Sequence, residues 1–320
     1  MPRIDLLTVG EAFQDLIFVG LPHMPKSGEE LRTQRFTATI GGGALITGTA
    51  AARLGLKTAV ASALSVEAVR ALRREHIRVL NVKRPSEAHA VTVSLSTTAE
   101  RSFVTFDGVN DRLESRLAAV IARQRARHIH LAFAPRNCTR WTRIVAGLRA
   151  AGVTTSWDFG WNPALRAASG FHALVAAADF IFVNDAEATM YARTRQAASL
   201  ARFWRRTSRN TIIKLGPRGS RWIAGGHDEA RRLQPSDISA PAPRVPVVDT
   251  TGAGDAFNGG FLFAWLGGAT PRECLRIGNV IGAQSTLAPG GVDALPRRVP
   301  IHPARPPRPG VTRRAQPTRP

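Results

Sequence analysis

The sequence predicts an α/β protein, with a central, mostly parallel sheet covered by helices on both faces and a small β lid. Three observations predict it. Short apolar runs alternate with helix-like stretches along most of the chain, the pattern of parallel strands joined by helical crossovers. Several runs stop on a polar residue or a glycine, at Asp158, Asn184 and Gly216, and in such sheets ligands collect outside the carboxyl ends of the strands. One segment, residues 88–107, breaks the rhythm with two-residue alternation, the period of a half-buried strand pair.

Taken in order, residues 6–10 read as a strand and residues 15–19 as a second extended run. Gly41-Gly-Gly43 leads into a small-residue helix over 44–54, closed by Gly55, since glycine just past the last turn is the expected helix stop. Residues 61–65 run directly into a helix over 66–76. Residues 90–96 and 101–106 flank a polar turn and form a hairpin, which serves equally well as a lid or as a plain surface feature. Strands then follow at 128–133, 153–157 before Asp158, 180–183 before Asn184, and 211–215 before Gly216, with helices between them.

The chain has 320 residues, 44% of them hydrophobic, enough for one large domain with a decorating subdomain. Lys and Arg number 44 against 23 Asp and Glu, a net of +21. Residues 296–320 hold seven Arg, eight Pro and no acid, so this tail cannot bury a core and is expected to be disordered. The remaining excess is spread over many helices. With no Cys/His finger, RNA-binding signature or basic zipper, no specific nucleic acid is expected, although the tail could attach to an anionic surface. The two cysteines, Cys138 and Cys274, are far apart, which suits a reducing compartment and offers no metal spacing. The longest apolar runs are too short for a bilayer. No cationic-then-apolar leader opens the chain, so no membrane partner and a cytoplasmic location are expected.

The segment Val247-Val-Asp-Thr-Thr-Gly-Ala-Gly-Asp-Ala-Phe-Asn-Gly-Gly-Phe261 carries the chemistry. It reads as an apolar strand end, the glycine turn Gly252-Ala253-Gly254, and a helix starting near Asp255. Glycines let backbone N–H groups approach an anion, and the helix N-terminus adds its positive dipole end. An Asp at that point can take the proton of a hydroxyl attacking phosphorus. Asp is also a favoured helix cap, and the segment alone leaves both roles open.

Asp249-Thr-Thr-Gly-Ala-Gly-Asp-Ala-Phe257 resembles the C-terminal signature of the ribokinase-like (PfkB) carbohydrate kinase family, and the resemblance extends over residues 4–295. It implies an ATP-dependent kinase acting on a small carbohydrate or polyol. In its terms Asp255 is the base, and Gly252, Ala253 and Gly254 form the anion hole. Asn184-Asp-Ala-Glu187 resembles the Asn-x-x-Glu motif that organises Mg²⁺ and the ATP phosphates, with Asp158 as a supporting residue near Mg²⁺ through water. Lys214-Leu-Gly216 with Gly219 resembles the turn beside the nucleotide. Asn279 and Ala283 lie on the segment resembling the helix that borders adenine, and Thr251 joins the nucleotide set. Backbone carbonyls around Asp249 and Thr251 resemble a monovalent-cation site for K⁺.

On the acceptor side, Asp15, Gly41 and Gly42 resemble the parts that grip substrate hydroxyls, and Arg101 and Asn110 are further candidates on and after the lid. The resemblance places the kinase domain at 1–295, with lid strands within 13–38 and 88–107, and implies a homodimer paired through the lid. Two departures stand out. Ile46 occupies a position where the family has an Asn that binds the sugar, and Ile cannot hydrogen-bond. The Gly-Asp-Asp expected before the helix at 66 is missing. These leave two other readings, a non-catalytic nucleotide-binding protein on the same scaffold and a nucleoside kinase.

Overall fold

The computed structural model describes residues 3–97, 100–225 and 237–299. Nine strands form one sheet in the order β13-β12-β11-β10-β9-β8-β1-β4-β5. They are β1 (Ile4–Gly10), β4 (Thr58–Ser62), β5 (Arg78–Asn81), β8 (Ala126–Ala132), β9 (Thr154–Asp158), β10 (Phe180–Asn184), β11 (Asn210–Lys214), β12 (Ser220–Ala224) and β13 (Asp237–Ala240). From β11 to β5 every pairing is parallel, and β12 and β13 add an antiparallel edge.

The strands are apolar on both sides because both faces are covered. Leu6, Phe180, Phe182 and Ile212 point into one core with helices α1 (Gly43–Arg53), α8 (Ala253–Leu266) and α9 (Pro271–Ser285). Their neighbours Leu7, Val9, Ile181, Val183 and Ile213 point into the other. That second core is covered by α3 (Glu114–Arg123), α4 (Cys138–Ala150), α5 (Phe171–Ala177), α6 (Asp185–Ala192) and α7 (Ala197–Thr207). Helix α2 (Val66–Arg74) packs beside β4 and β5, with Ala68 and Leu72 buried against Val60 and Leu45.

Helix α8 crosses α1 closely through Gly259, where a Cβ would lie 2.6 Å from the Cβ of Ala50. This close approach brings the first turns of α1 and α8 together, at the carboxyl ends of the strands.

A second sheet has the order β3-β2-β6-β7, formed by β2 (Phe13–Val19), β3 (Arg35–Gly41), β6 (Ala90–Ser96) and β7 (Arg101–Phe106). Register places Thr39, Asp15, Thr92 and Thr105 in one row across one face. The other face carries rows of Ala38, Leu16, Val93 and Val104, and of Phe36, Phe18, Leu95 and Ser102.

The pattern reading is corrected at Val247 and Val248. They form no strand; both are exposed, and the Val248 N–H donates to the Thr286 carbonyl at 2.8 Å. Strands β4, β5, β12 and β13 also went unmarked in the sequence, and β3 runs three residues past the lid region expected at 13–38. The short connection before α2 closes because Ser65 caps the helix, its Oγ accepting from Ala68 N at 3.1 Å. The tail beyond Val299 lies outside the described residues. Among the described residues no helix is long and apolar enough to cross a membrane, and both cysteines are free and buried.

Candidate active site

The turn before α8 is folded by its own side chains. Asp249 Oδ1 accepts from the Thr251 backbone N–H at 2.9 Å and from its hydroxyl at 2.8 Å, while Oδ2 accepts from Gly290 N–H at 2.9 Å. One buried carboxylate thus joins residues 249–251 to the loop at 290. Gly252 takes the left-handed conformation, φ 70°, and is the residue at the helix N-cap. Asp255 therefore does not cap α8. The Ala253 N–H folds back to the Thr250 carbonyl at 3.2 Å and the Asp255 N–H to the Gly252 carbonyl at 3.0 Å. Ala253 is thus less available as an anion donor than its sequence position suggests.

Beside this helix start lies a charged cluster drawn from four elements. Lys214, at the end of β11, donates from Nζ to Asp158 Oδ2, at the end of β9, over 2.7 Å. Asn258 on α8 donates from Nδ2 to the same oxygen at 2.9 Å and accepts from Lys214 at 3.4 Å. Gly160 N–H meets Asp158 Oδ1 at 3.2 Å. Burial opposes the charge on Asp158, but Lys214 and Asn258 overcome it and hold the carboxyl below its ordinary range. Burial likewise works against Lys214, and Asp158, Glu187 and Asp255 together raise it. Asp255 is pushed up to about 7, first by burial and then by Asp158, with Lys214 opposing. His130 on β8 is also buried nearby; its Nδ1 is 2.7 Å from Ser156 Oγ, and burial lowers it to about 4.

Asn184 and Glu187 form a reciprocal cap on α6. Asn184 Oδ1 accepts from Glu187 N–H and Glu187 Oε2 accepts from Asn184 N–H, each at 2.8 Å. This is the structural role that the bare motif also allows. Glu187 is nevertheless buried against the charged cluster, and burial followed by Asp158 raises its pKa.

A cleft of about 490 Å³ opens outward from these residues. Its walls include Lys214, Gly216, Gly219, Gly254, Asn279 and Ala283. Gly219 has φ 96°, and a Cβ there would strike the Ala240 carbonyl oxygen at 2.0 Å. Asn279 donates to the carbonyls of Ala240 and Pro241 at 3.0 and 3.2 Å, which pins one wall. Thr251 is committed to Asp249 in the turn rather than lining this cleft.

Asp255 faces away from the cleft toward α1. A Cβ on Gly43 would come within 3.0 Å of Asp255 Oδ1, and one on Gly41 within 2.0 Å of Asp15 Oδ2. Glycines two residues apart therefore lie against two carboxylates. Gly42 between them has φ 102°, with the Glu11 carbonyl oxygen 2.4 Å from where a Cβ would be. Asp15 is raised to about 6 by burial and then Asp249. Glu11 is raised to about 7 by burial and then Asp107, with Arg136 opposing.

The remaining acceptor candidates are placed differently. Asn110 is buried and donates to the Ala12 carbonyl at 3.2 Å, holding the strand connection. Arg101 opens β7, and its side chain lies outside the described residues. Ile46 is 2% exposed and wedged between two glycines: its Cδ1 would lie 2.5 Å from a Cβ on either Gly252 or Gly291.

The pfkB family carbohydrate kinase model matches residues 3–298. The chain belongs to the PfkB family of carbohydrate kinases. A PfkB relative, acarbose 7(IV)-phosphotransferase of Actinoplanes sp., is 33% identical over 193 residues, 59% of each chain. The match to 2-dehydro-3-deoxygluconokinase of Bacillus subtilis, 30% identical, takes in 48% of this chain and 47% of that protein. The chain thus spans about half to three-fifths of these two relatives, whereas ribokinase of Haemophilus influenzae, 25% identical, is matched over 92% of this chain and 96% of its own length. Among solved structures, ribokinase from Giardia lamblia has a TM-score of 0.76 at 18% identity, covering 92% of this chain and 98% of that one. Adenosine kinase from Sinorhizobium meliloti has 0.74 at 21%, covering 94% and 97%.

Within this PfkB chain the structure gathers Asp255, Gly254, Lys214, Asp158 and Glu187 into one neighbourhood, with Gly43 of α1 against Asp255 and Gly41 of β3 against Asp15. Sequence reading missed Asn258, which sits inside the signature but carries no motif meaning alone. It also missed Gly43, whose use becomes apparent only when α1 and α8 meet.

Proposed function

We propose that the chain is an ATP-dependent phosphotransferase that moves the γ-phosphate to a hydroxyl of a small carbohydrate or related polyol, with Asp255 as general base. The observation that carries this is the setting of Asp255. Its carboxylate is free of capping duty, stands at the start of α8, and lies against Gly43, two residues from the Gly41 that lies against Asp15.

ATP would lie in the 490 Å³ cleft, with its phosphates toward the first turn of α8 and Lys214, where the helix dipole favours negative charge. Asp15 would orient the acceptor. As the acceptor oxygen bonds to the γ-phosphorus, Asp255 takes its proton, and the bond from phosphorus to the β–γ bridging oxygen breaks to release ADP. A base raised to about 7 is matched to neutral pH. Exclusion of water by the four-stranded lid would suppress hydrolysis.

Among the described residues no three acidic, His or Cys side chains converge as a metal cage. This fits Mg²⁺, which keeps most of its waters and relies on phosphate oxygens. Glu187 is the residue that would hold it, through water, and the ion would supply neutralisation of phosphate charge. Asp158 has both oxygens engaged by the protein. K⁺ would bind the backbone carbonyls around Asp249.

The lid suggests a partner. The face opposite Asp15 exposes Phe36, Val104 and Phe106, and we assign it to a second copy of the chain.

The deciding experiment measures ADP release with ribose, adenosine, fructoselysine, 2-dehydro-3-deoxygluconate and acarbose, in the presence and absence of K⁺. Acceptor-dependent release supports the assignment. ATP binding without release from any acceptor supports a non-catalytic nucleotide-binding protein instead, and adenosine alone as acceptor makes it a nucleoside kinase.

A further inference from the structure

The charged cluster holds a closed triangle that the transfer mechanism does not by itself require. Lys214 Nζ donates to Asp158 Oδ2 at 2.7 Å and to Asn258 Oδ1 at 3.4 Å, and Asn258 Nδ2 donates to Asp158 Oδ2 at 2.9 Å. All three side chains are nearly buried, and Asn258 is fully so. The corners come from β9, β11 and α8, so the triangle forms only when these elements are docked.

Its location gives it a use. A Cβ on Gly254 would lie 3.1 Å from Lys214 Nζ, 3.6 Å from Cε and 3.7 Å from Cδ. The lysine therefore runs along the back of Gly254, the residue immediately before Asp255, and any side chain there would push it away. Lys214 and Gly254 both line the nucleotide cleft. An ammonium has three donors; two are engaged, and the third has no acceptor among the described residues.

A buried ion pair costs desolvation and seldom repays it in stability. What this one does is fix a long, flexible cation at one point. Resting on the kinase reading, we propose that Asp158 and Asn258 are positioning residues that hold the Lys214 ammonium behind Gly254, where it meets the terminal phosphate of the nucleotide. That phosphate is the one singled out because Gly254 adjoins the base that faces the acceptor.

Glu187 from α6, Asp255 from α8 and His130 from β8 are the other titratable groups facing the triangle. Asp158 and Lys214 offset each other's charge, and Glu187 and Asp255 remain as the carboxyls beside the pair. Asn258 matters because it receives the lysine and donates to the aspartate together. Removing it leaves the pair but frees the lysine to pivot about Asp158.

The test compares the Mg²⁺ complexes of AMP-PNP and ADP by calorimetric titration on wild type, Asn258→Ala, Asp158→Asn and Lys214→Met, with thermal melts for each. The expected result is that ADP affinity changes less than about twofold while AMP-PNP affinity falls about tenfold, the scale of losing a hydrogen bond to a charged group. The double variant Asn258→Ala with Lys214→Met should lose no more than Lys214→Met alone. Equal loss for both nucleotides, or no loss in a folded Asn258→Ala, overturns the proposal. If Asp158→Asn does not fold, the Asn258 and Lys214 comparison decides alone. A wild type that binds neither nucleotide overturns the kinase reading and this inference with it. Wild-type binding with unselective variants removes only the inference.

Discussion

The carboxylate of Asp255 rests on Gly43: a Cβ at that glycine would stand 3.0 Å from Asp255 Oδ1 and 3.0 Å from the Cβ of Ala132. Gly43 is the first residue of α1 and Asp255 the third of α8. The contact therefore depends on how two helices distant in sequence are docked. Thr47 adds to it, donating from its hydroxyl to the Asp255 carbonyl at 3.0 Å.

Gly43→Ala should disturb the reaction more than the fold. The added methyl has Ala132 on one side, so the carboxylate is the group that must give way. A displacement of a few tenths of an ångström in a reacting group costs about tenfold in turnover, less than the hundredfold typical of a full 1 Å. Steady-state kinetics on the best acceptor should show a lower kcat with ATP KM nearly unchanged. A wild-type kcat in this variant would remove Gly43 from any part in placing the base.

Asp255→Asn should keep nucleotide binding and lose transfer by about two orders of magnitude or more, the scale of losing a general base. In the wild type the acid limb of the kcat profile should fall near pH 7, because the base must be deprotonated. Stability carries the opposite sign. A carboxyl raised from 3.8 to about 7 in the fold binds more protons folded than unfolded between those values. Stability from this group is thus greatest at low pH and is lost as pH rises toward 7. Asn escapes that penalty, so the Tm of the variant should exceed wild type by more at pH 8 than at pH 5. A Tm difference independent of pH would contradict the raised carboxyl.

Much of this was legible in the chain. The strand ends at Asp158 and Asn184 are marked by a switch from apolar to polar residues, the strand expected to stop at Gly216 ends two residues earlier at Lys214, and the glycine-rich start of α8 is marked by composition alone. Strand β4, Thr-Ala-Val-Ala-Ser, escaped notice because a fully buried strand of small residues has no polar alternation to betray it. The strand expected at Val247 and Val248 failed for the converse reason: apolar residues can stay exposed at the surface, as both do, with Val247 lining the cleft. Side-chain partnerships were the least legible. Nothing in the local sequence of Asp158 signals that it will meet a lysine 56 residues later and an asparagine 100 residues later, because only the sheet order brings them together.

Ile46 is the position where the family comparison and the structure pull apart. Its residue type argued for a lost acceptor contact, and its surroundings show a packing role between Gly252 and Gly291. Ile46→Asn should therefore destabilise the protein, by about 1–3 kcal/mol for an unsatisfied buried amide, measured by urea unfolding. It should not improve turnover of ribose. A gain in ribose kcat/KM with unchanged stability would mean that the side chain reaches the acceptor after all.

The lid makes the last prediction. On the face opposite Asp15, the row Ala38, Leu16, Val93, Val104 continues into Phe36, Phe18 and Leu95, while Phe36, Val104 and Phe106 are 53%, 68% and 58% exposed. An apolar sheet face of this kind is usually covered by a partner. A two-fold pairing would bury the same patch from both copies. Val104→Glu places one carboxylate from each copy in that patch, where desolvation and mutual repulsion both oppose association. Thr105→Glu, its neighbour on the Asp15 face, adds the same charge to the other side and serves as the control. Sedimentation velocity should show a wild-type dimer, a Val104→Glu monomer and a dimeric Thr105→Glu. A monomeric wild type, or a Val104→Glu protein that stays dimeric, would show that this face is not the subunit contact.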